Sequence, residues 1–114
     1  MSAERSGEIF RVHEDDLPWS TYADPGGAPS AIRFKALTSG APHVPPVQYI
    51  EYGPGQTDPV HSHSTGEFFI VTEGELWLSE DRTGPGGIIY VPPHTDYSVR
   101  AGPRGARYYR VVVQ

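Results

Sequence analysis

The stretch GQTDPVHSHSTGEFFIVTEG, residues 55–74, sets two histidines and a carboxylate at short, fixed intervals. His61 and His63 are separated by one residue, and Glu67 follows four residues after His63. Side chains at positions i and i+2 of a strand leave the same face, so both imidazoles are expected to enter one pocket. Residues 64–66 can form a three-residue hairpin turn, which would place Glu67 on the next strand, opposite the histidines.

Two imidazoles and one carboxylate form a ligand set that leaves coordination positions of a metal open. This set suits non-haem Fe(II) and also tolerates Mn, Ni, Co or Zn. An open position is what a substrate or O2 requires. The competing interpretation is a polar hairpin end at which Glu67 is only an exposed partner of the histidines, because short motifs also arise by chance.

The spacing over the whole stretch resembles the first motif of the cupin superfamily. The positions that carry the match are Gly55, His61, His63, Glu67 and Gly74, separated by five, one, three and six residues. The chain therefore resembles a small single-domain cupin of the RmlC-like superfamily, over roughly residues 45–113. This resemblance implies an all-β fold, a double-stranded β-helix (cupin jelly-roll barrel) with its site inside the wider mouth, and pairing as a homodimer.

A second stretch, GGIIYVPPHTDYSVRA at residues 86–101, occupies the place of the second cupin motif. Gly86 and Pro92 fit its opening. The chain departs from the motif at three positions: His94 replaces the second glycine, Tyr97 the metal-binding histidine and Ala101 the closing asparagine. By this resemblance, Tyr97 holds the position from which the fourth ligand of the family reaches the metal.

Three roles are open to Tyr97. A bound cation favours the phenolate, which would make Tyr97 a ligand. A protonated hydroxyl would instead hydrogen bond, as an acid or to orient a substrate, and a plain core aromatic residue is the third role. We predict the phenolate ligand, so the predicted metal ligands are His61, His63, Glu67 and Tyr97, with Glu67 and Tyr97 also catalytic. His94 has the opposite strand parity and is expected on the rim.

Composition favours strands throughout the chain. Its 114 residues suffice for one domain, residues 1–114. No segment of eleven or more residues keeps an apolar helical face without an interrupting proline or glycine. The predicted strands are 8–13, 31–37, 46–52, 58–63, 67–72, 75–79, 87–91, 96–100 and 106–113. Residues 21–30 are predicted to be a long loop, and the polar residues 1–7 to be disordered.

The pocket is expected to be apolar and aromatic. If Glu67 points inward, strand parity brings Phe69 and Val71 to the same face. Candidates from strands of unknown register are Gln48, Tyr52, Trp77, Tyr90 and Tyr109, most of which are expected to be plain core. The arginines of the last hairpin, including Arg107 and Arg110, are expected on the solvated surface, so no anion clamp is predicted. Such a cavity would suit an aromatic or polyketide-like substrate.

Charge and residue usage exclude several classes of function. The net charge is −5 and no basic run occurs, so nucleic acid and anionic membranes are not expected partners. The absence of cysteine excludes thiolate metal sites and cysteine nucleophiles. The opening residues MSAERSGEIF lack the apolar core of a signal peptide, and a cytoplasmic location is expected.

We therefore predict a metal-dependent enzyme that acts on a small organic molecule. The leading form is a non-haem iron dioxygenase with one divalent transition metal, Fe before Mn, Ni, Co or Zn. The alternatives are a metal-dependent lyase, isomerase or cyclase, and a noncatalytic cupin that binds or senses a small molecule. Fold alone does not choose among them.

Overall fold

A computed structural model describes residues 7–23 and 29–113 of the chain. A single 3₁₀ turn, Glu14–Asp16, precedes eight strands. The strands are β1 (Ser20–Ala23), β2 (Pro29–Ala36), β3 (Val47–Tyr52), β4 (Thr57–His61), β5 (Gly66–Leu78), β6 (Asp81–Thr83), β7 (Ile88–Val91) and β8 (Tyr97–Val113). The predicted all-β fold is confirmed. No helix in the described ranges is long and apolar enough to cross a bilayer.

All eight strands pair antiparallel in one sheet that is rolled into a jelly roll. The order is β1-β2-β3-β8-β5-β6, with β4 added on β8 and β7 on β5. The first residues of β8 pair with β4, and its later residues pair with β3. Strand β5 pairs with β7 near its start and with β6 near its end. The two long strands β5 and β8 therefore run through both halves of the roll and tie them together.

Both long strands bend where glycines meet. The register between β5 and β8 shifts at Val71/Glu73 and again at Gly74/Leu76. Gly74 has a φ of 74°, and a Cβ built on it would overlap the backbone of Gly105. Only glycine tolerates both this backbone conformation and this approach. The last glycine of the 55–74 stretch is thus required by the crossing of two strands rather than by chemistry at the pocket.

The interior of the roll is filled by one cluster of buried side chains. It consists of Ile50, Tyr52, Phe69, Val71, Leu76, Leu78, Val91, Tyr97, Val99, Ala101, Ala106 and Tyr108. Phe69 and Val71 are almost fully buried on the same face of β5 as Glu67, as parity predicted. The described strands form one sheet around this cluster. The assignment of residues 1–114 to one domain stays a prediction.

Several strand boundaries differ from the prediction. Residues 8–13 form no strand, because His13 caps the 3₁₀ turn: its Nδ1 accepts from the Asp15 N–H at 3.0 Å. The predicted loop 21–30 contains parts of β1 and β2, and its residues 24–28 lie outside the described residues. Residues 1–6 of the segment that is predicted to be disordered, 1–7, also lie outside the described residues. The short strand β6 was not predicted.

Candidate metal centre and substrate pocket

His61 is held in place by strand pairing and by one hydrogen bond. It lies opposite Tyr97 in the pairing of β4 with β8, and the two ring centroids are 4.6 Å apart. The Nδ1–H of His61 donates to the carbonyl oxygen of Pro59 at 2.7 Å. Since the proton sits on Nδ1, the neutral ring keeps Nε2 free as a metal-binding nitrogen.

His63 follows the end of β4 and lies at the mouth of the same cavity. Its ring centroid is 5.0 Å from that of His61, and the two rings are nearly perpendicular. The carbonyl oxygen of His63 accepts a hydrogen bond from the backbone N–H of His94 at 2.7 Å, which ties two loops together. The two imidazoles share one cavity, although His63 lies beyond the end of β4 and not on the predicted strand 58–63.

The predicted hairpin between the histidines and Glu67 is wrong. Strand β4 pairs with β8, whereas Glu67 on β5 lies opposite Val91 and Val112. Residues 62–65 therefore carry the chain from one layer of the roll to the other. Glu67 still meets the histidines, because the two layers face each other across the cavity: its Oε2 lies 4.0 Å from His63 Nε2.

Glu67 is a buried carboxylate with partners on both oxygens. Its side chain is 1% exposed. Oε1 accepts the hydroxyl proton of Tyr97 at 2.9 Å, and Oε2 forms an ion pair with the guanidinium of Arg110. A buried carboxylate is stable only with such partners. Glu67 is therefore positioned by two side chains that both come from β8.

Arg110 was expected on the solvated surface, and this expectation is wrong. Its side chain is 20% exposed and lines the cavity. It lies opposite Gln48 in the pairing of β3 with β8, and its NH1 donates to Gln48 Oε1 at 3.0 Å. Arg110 is two residues from the buried Tyr108, so both side chains leave the inner face of β8, whose register the sequence does not fix.

Tyr97 is 5% exposed and donates its hydroxyl proton to Glu67. Burial, and then the hydrogen bond to the Glu67 carboxylate, raise the pKa of the Tyr97 phenol above its ordinary value. In this arrangement the phenol keeps its proton and serves as a hydrogen-bond donor. Ligation of a metal by the Tyr97 phenolate stays a prediction.

The cavity has a volume of about 580 Å³ and opens at the histidines. Its lining residues are Tyr22, Ile32, Gln48, Ile50, Tyr52, Gln56, Thr57, Asp58, Pro59, His61, His63, Phe69, Tyr97, Val99, Tyr108 and Arg110. Glu67 lies directly behind this lining, bonded to Tyr97 and Arg110. The mixture of aromatic walls with a few polar groups is typical of a small-molecule site.

The register of the flanking strands decides which aromatic residues reach the cavity. Gln48 and Tyr52, two of the candidates from strands of unknown register, line it. Tyr108 lines it in place of the predicted Tyr109. Tyr90 is 48% exposed, on the outer face of β7. His94 is also exposed, in a loop with a φ of 60°, as expected of a rim residue.

The donor types around Glu67 fit a divalent transition metal. His61 and His63 supply imidazole nitrogens and Glu67 supplies an anionic oxygen, the set that such ions bind. Within residues 7–23 and 29–113, no three His, Asp or Glu side chains are gathered closely enough to hold an ion as they stand. Both oxygens of Glu67 are instead engaged by Tyr97 and Arg110.

A jelly roll with two histidines at its mouth and a glutamate at its wall defines a cupin. The chain belongs to the Cupin_2 family (Cupin domain), which matches residues 48–111. The matched segment contains every candidate ligand.

Three proteins with known sequences or structures are similar to this chain. The chain is 27% identical over 104 residues to the dimethylsulfoniopropionate lyase DddW of Ruegeria pomeroyi, covering 85% of this chain and 67% of that protein. Its fold is similar to that of the polyketide cyclase RemF from Streptomyces resistomycificus, with a TM-score of 0.77, 22% identity, and coverage of 92% and 79%. An RmlC-like cupin from Shewanella frigidimarina gives a TM-score of 0.68, 23% identity, and coverage of 93% and 90%. The two structures support the fold alone.

Proposed function

We propose that this protein is a metal-dependent cupin enzyme that acts on a small organic molecule. The observation that carries the proposal is the convergence of His61, His63 and Tyr97 on one cavity, with Glu67 bonded directly behind them. These residues come from three separate strands and the loop after β4, and a polar set of this kind in an aromatic cavity is typical of an active site.

The residues have separable roles in this proposal. His61 Nε2, His63 and Glu67 would hold one divalent transition metal, which supplies Lewis-acid stabilisation of negative charge on a substrate oxygen. Tyr97 holds a proton at its phenol oxygen, 2.9 Å from Glu67 Oε1. In this proposal the Tyr97 hydroxyl, which keeps its proton, is the hydrogen-bond donor to a substrate group. The apolar walls formed by Ile50, Phe69 and Val99 exclude water around it.

Two reaction types have specific support. A lyase is the first candidate, because the relative from Ruegeria pomeroyi is a dimethylsulfoniopropionate lyase. A dioxygenase is the second, because two imidazoles and one carboxylate leave room for O2 on Fe(II). The reactions differ in whether oxygen is consumed, which makes them separable in one experiment.

Metal content is the first test. The purified protein is expected to hold about one transition metal per chain, and the His61→Ala, His63→Ala double variant is expected to lose it. A matched control replaces two histidines outside the cavity, with His13→Ala and His43→Asn, where asparagine tolerates the φ of 67° at position 43. Equal metal in the wild type and in the His61/His63 variant, by elemental analysis, would refute the proposal.

The reaction type is tested on the metal-loaded protein with and without oxygen. Dimethylsulfoniopropionate, phenols and ketones are the candidate substrates. A lyase forms product equally well under nitrogen, while a dioxygenase consumes about one O2 per turnover at an oxygen electrode. Tight binding of a candidate without turnover under either atmosphere would instead identify a noncatalytic binding protein.

A further inference from the structure

Arg110 brings a positive charge into a cavity whose other lining side chains are aromatic, aliphatic or polar, with one acidic residue, Asp58. Among the described lining residues it is the one arginine or lysine, and Asp58 is the one carboxylate. Its side chain is four-fifths buried, so the charge is only weakly screened by water. Side chains of this kind are rarely buried for packing alone, since desolvation of the guanidinium has to be offset by a partner.

The partner seen here is itself a carboxylate. The Nε and NH2 groups of Arg110 both contact Glu67, and NH1 donates to Gln48 at 3.0 Å. A planar guanidinium matches a planar carboxylate, which it binds through paired N–H groups. The edge of the guanidinium formed by Nε and NH2 is thus directed at one carboxylate oxygen, Glu67 Oε2, at the wall of the cavity.

Binding of a metal would change the net charge of the cavity around Arg110. Arg110, Glu67 and Asp58 together carry a formal charge of −1, and a divalent ion would bring this sum to +1. A Glu67 that serves as a metal ligand also gives up part of its interaction with Arg110. A cavity with a net positive charge and apolar walls attracts an anion.

We propose that Arg110 recognises the substrate, and that the substrate is a small molecule bearing a carboxylate. This inference rests on the proposed function and names its substrate class. Arg110 and Tyr97 are bonded to the two oxygens of one carboxyl group. A carboxylate held on Arg110 therefore places the next few atoms of its own chain beside the Tyr97 hydroxyl and the two imidazoles. A short-chain carboxylate is the class that fits.

The test compares propionate with propionamide, an uncharged molecule of nearly the same shape. Binding is measured by titration calorimetry on the protein as purified and after loading with zinc. The wild type is expected to bind propionate at least roughly tenfold more tightly than propionamide, the effect of one charge-assisted contact. Arg110→Gln is expected to abolish this preference, and Arg110→Lys to weaken propionate binding roughly tenfold, because lysine keeps the charge but lacks the planar fork.

Arg107→Gln is the matched control. Arg107 is on the same strand and also forms ion pairs, but its partners are Glu51 and Glu73, outside this cavity. This variant is expected to retain the full preference for propionate. If circular dichroism shows that Arg110→Gln is unfolded, the test rests on Arg110→Lys and on the comparison of propionate with propionamide in the wild type.

The outcomes separate this inference from the proposed function. Equal binding of propionate and propionamide by the wild type, or an unchanged preference in Arg110→Gln or Arg110→Lys, would overturn the role of Arg110. The metal content of the same samples is an independent reading. A protein without metal whose preference still depends on Arg110 would refute the proposed metal enzyme and support carboxylate recognition.

Discussion

Tyr97 is the residue at which the chain departs most from the cupin pattern, and its hydroxyl has two competing partners. In the structure it donates to Glu67 Oε1 at 2.9 Å. Its position in the aligned second motif is instead that of a metal ligand. A phenol is a poor ligand while it keeps its proton, so the two roles exclude each other at any one moment.

Replacement of Tyr97 by phenylalanine separates these roles, because it removes only the hydroxyl. If the phenolate binds the metal, as the motif predicts, the Fe(III) protein should show a visible phenolate-to-iron charge-transfer band. Tyr97→Phe should then lose both the band and metal affinity. The measurements are the visible absorption spectrum and the iron content of both proteins.

A colourless Fe(III) protein, with full iron content in Tyr97→Phe, would contradict phenolate ligation. It would assign to Tyr97 the donor role seen in the structure. In that case turnover should still fall, by roughly 10²–10⁴-fold, since this is the usual contribution of a group that donates a proton in the reaction. Unchanged turnover would leave Tyr97 as a core aromatic residue.

The sequence predicted the local part of the site and missed its distant part. His61, His63 and Glu67 lie within seven residues, so motif spacing alone indicated that they belong together. Arg110 comes from β8, and whether it faces the cavity depends on the register of β8 against β3 and β5. A shift of one residue turns every side chain of a strand to the other face. No local pattern fixes that register.

At the scale of strands, the crossing of β5 and β8 is the feature most sensitive to substitution. Gly74→Ala would place a Cβ against the backbone of Gly105 and force a positive φ on alanine. The expected loss in the free energy of unfolding is about 3 kcal/mol or more, from backbone strain together with the overlap. The measurement is the urea-induced unfolding transition.

Gly55→Ala is the matched control for this prediction. Gly55 also has a positive φ, 67°, but a Cβ there would meet no atom within 4 Å. Gly55→Ala should therefore lose only the free energy that the positive φ costs an alanine, about 1 kcal/mol. Equal losses of unfolding free energy in the two variants would show that the overlap of a Cβ at position 74 with the Gly105 backbone costs no stability.

The same bend explains why the strands were divided wrongly. Residues 67–72 and 75–79 are predicted as two strands, with Glu73 and Gly74 between them. In the structure they belong to one strand that bends as it passes between the layers. Residues 96–100 and 106–113 are likewise joined in β8. Turn residues mark a bend equally well inside a strand or between two strands.

For the whole molecule, we propose that a homodimer covers an apolar patch on the outer face of β5 and β7. Phe68, Ile88 and Tyr90 are 36%, 62% and 48% exposed, and the rings of Phe68 and Tyr90 are 4.9 Å apart. Neighbouring apolar side chains of this size are typical of an interface between subunits. Light scattering at micromolar concentration should give twice the mass of the chain.

Ile88→Lys should shift the dimer toward the monomer, because it places a charge in this apolar patch. Val60→Lys provides the comparison, since Val60 is equally exposed, at 67%, but lies on β4. It should leave the mass unchanged. A wild type that scatters as a single chain would contradict the predicted homodimer, and dissociation by Val60→Lys alone would move the interface to β4.

The position of β8 in the sheet also governs when this protein can fold during its synthesis. Strand β8 is hydrogen bonded to β3, β4 and β5, yet a ribosome delivers residues 97–113 after all three. Until they leave the exit tunnel, the nascent chain carries three strands whose main neighbour is missing. Unpaired edges of this kind are prone to associate with other chains, and pairings distant in sequence form slowly. The sheet therefore closes only after β8 has left the exit tunnel, and until then the nascent polypeptide exposes unpaired strand edges that favour aggregation.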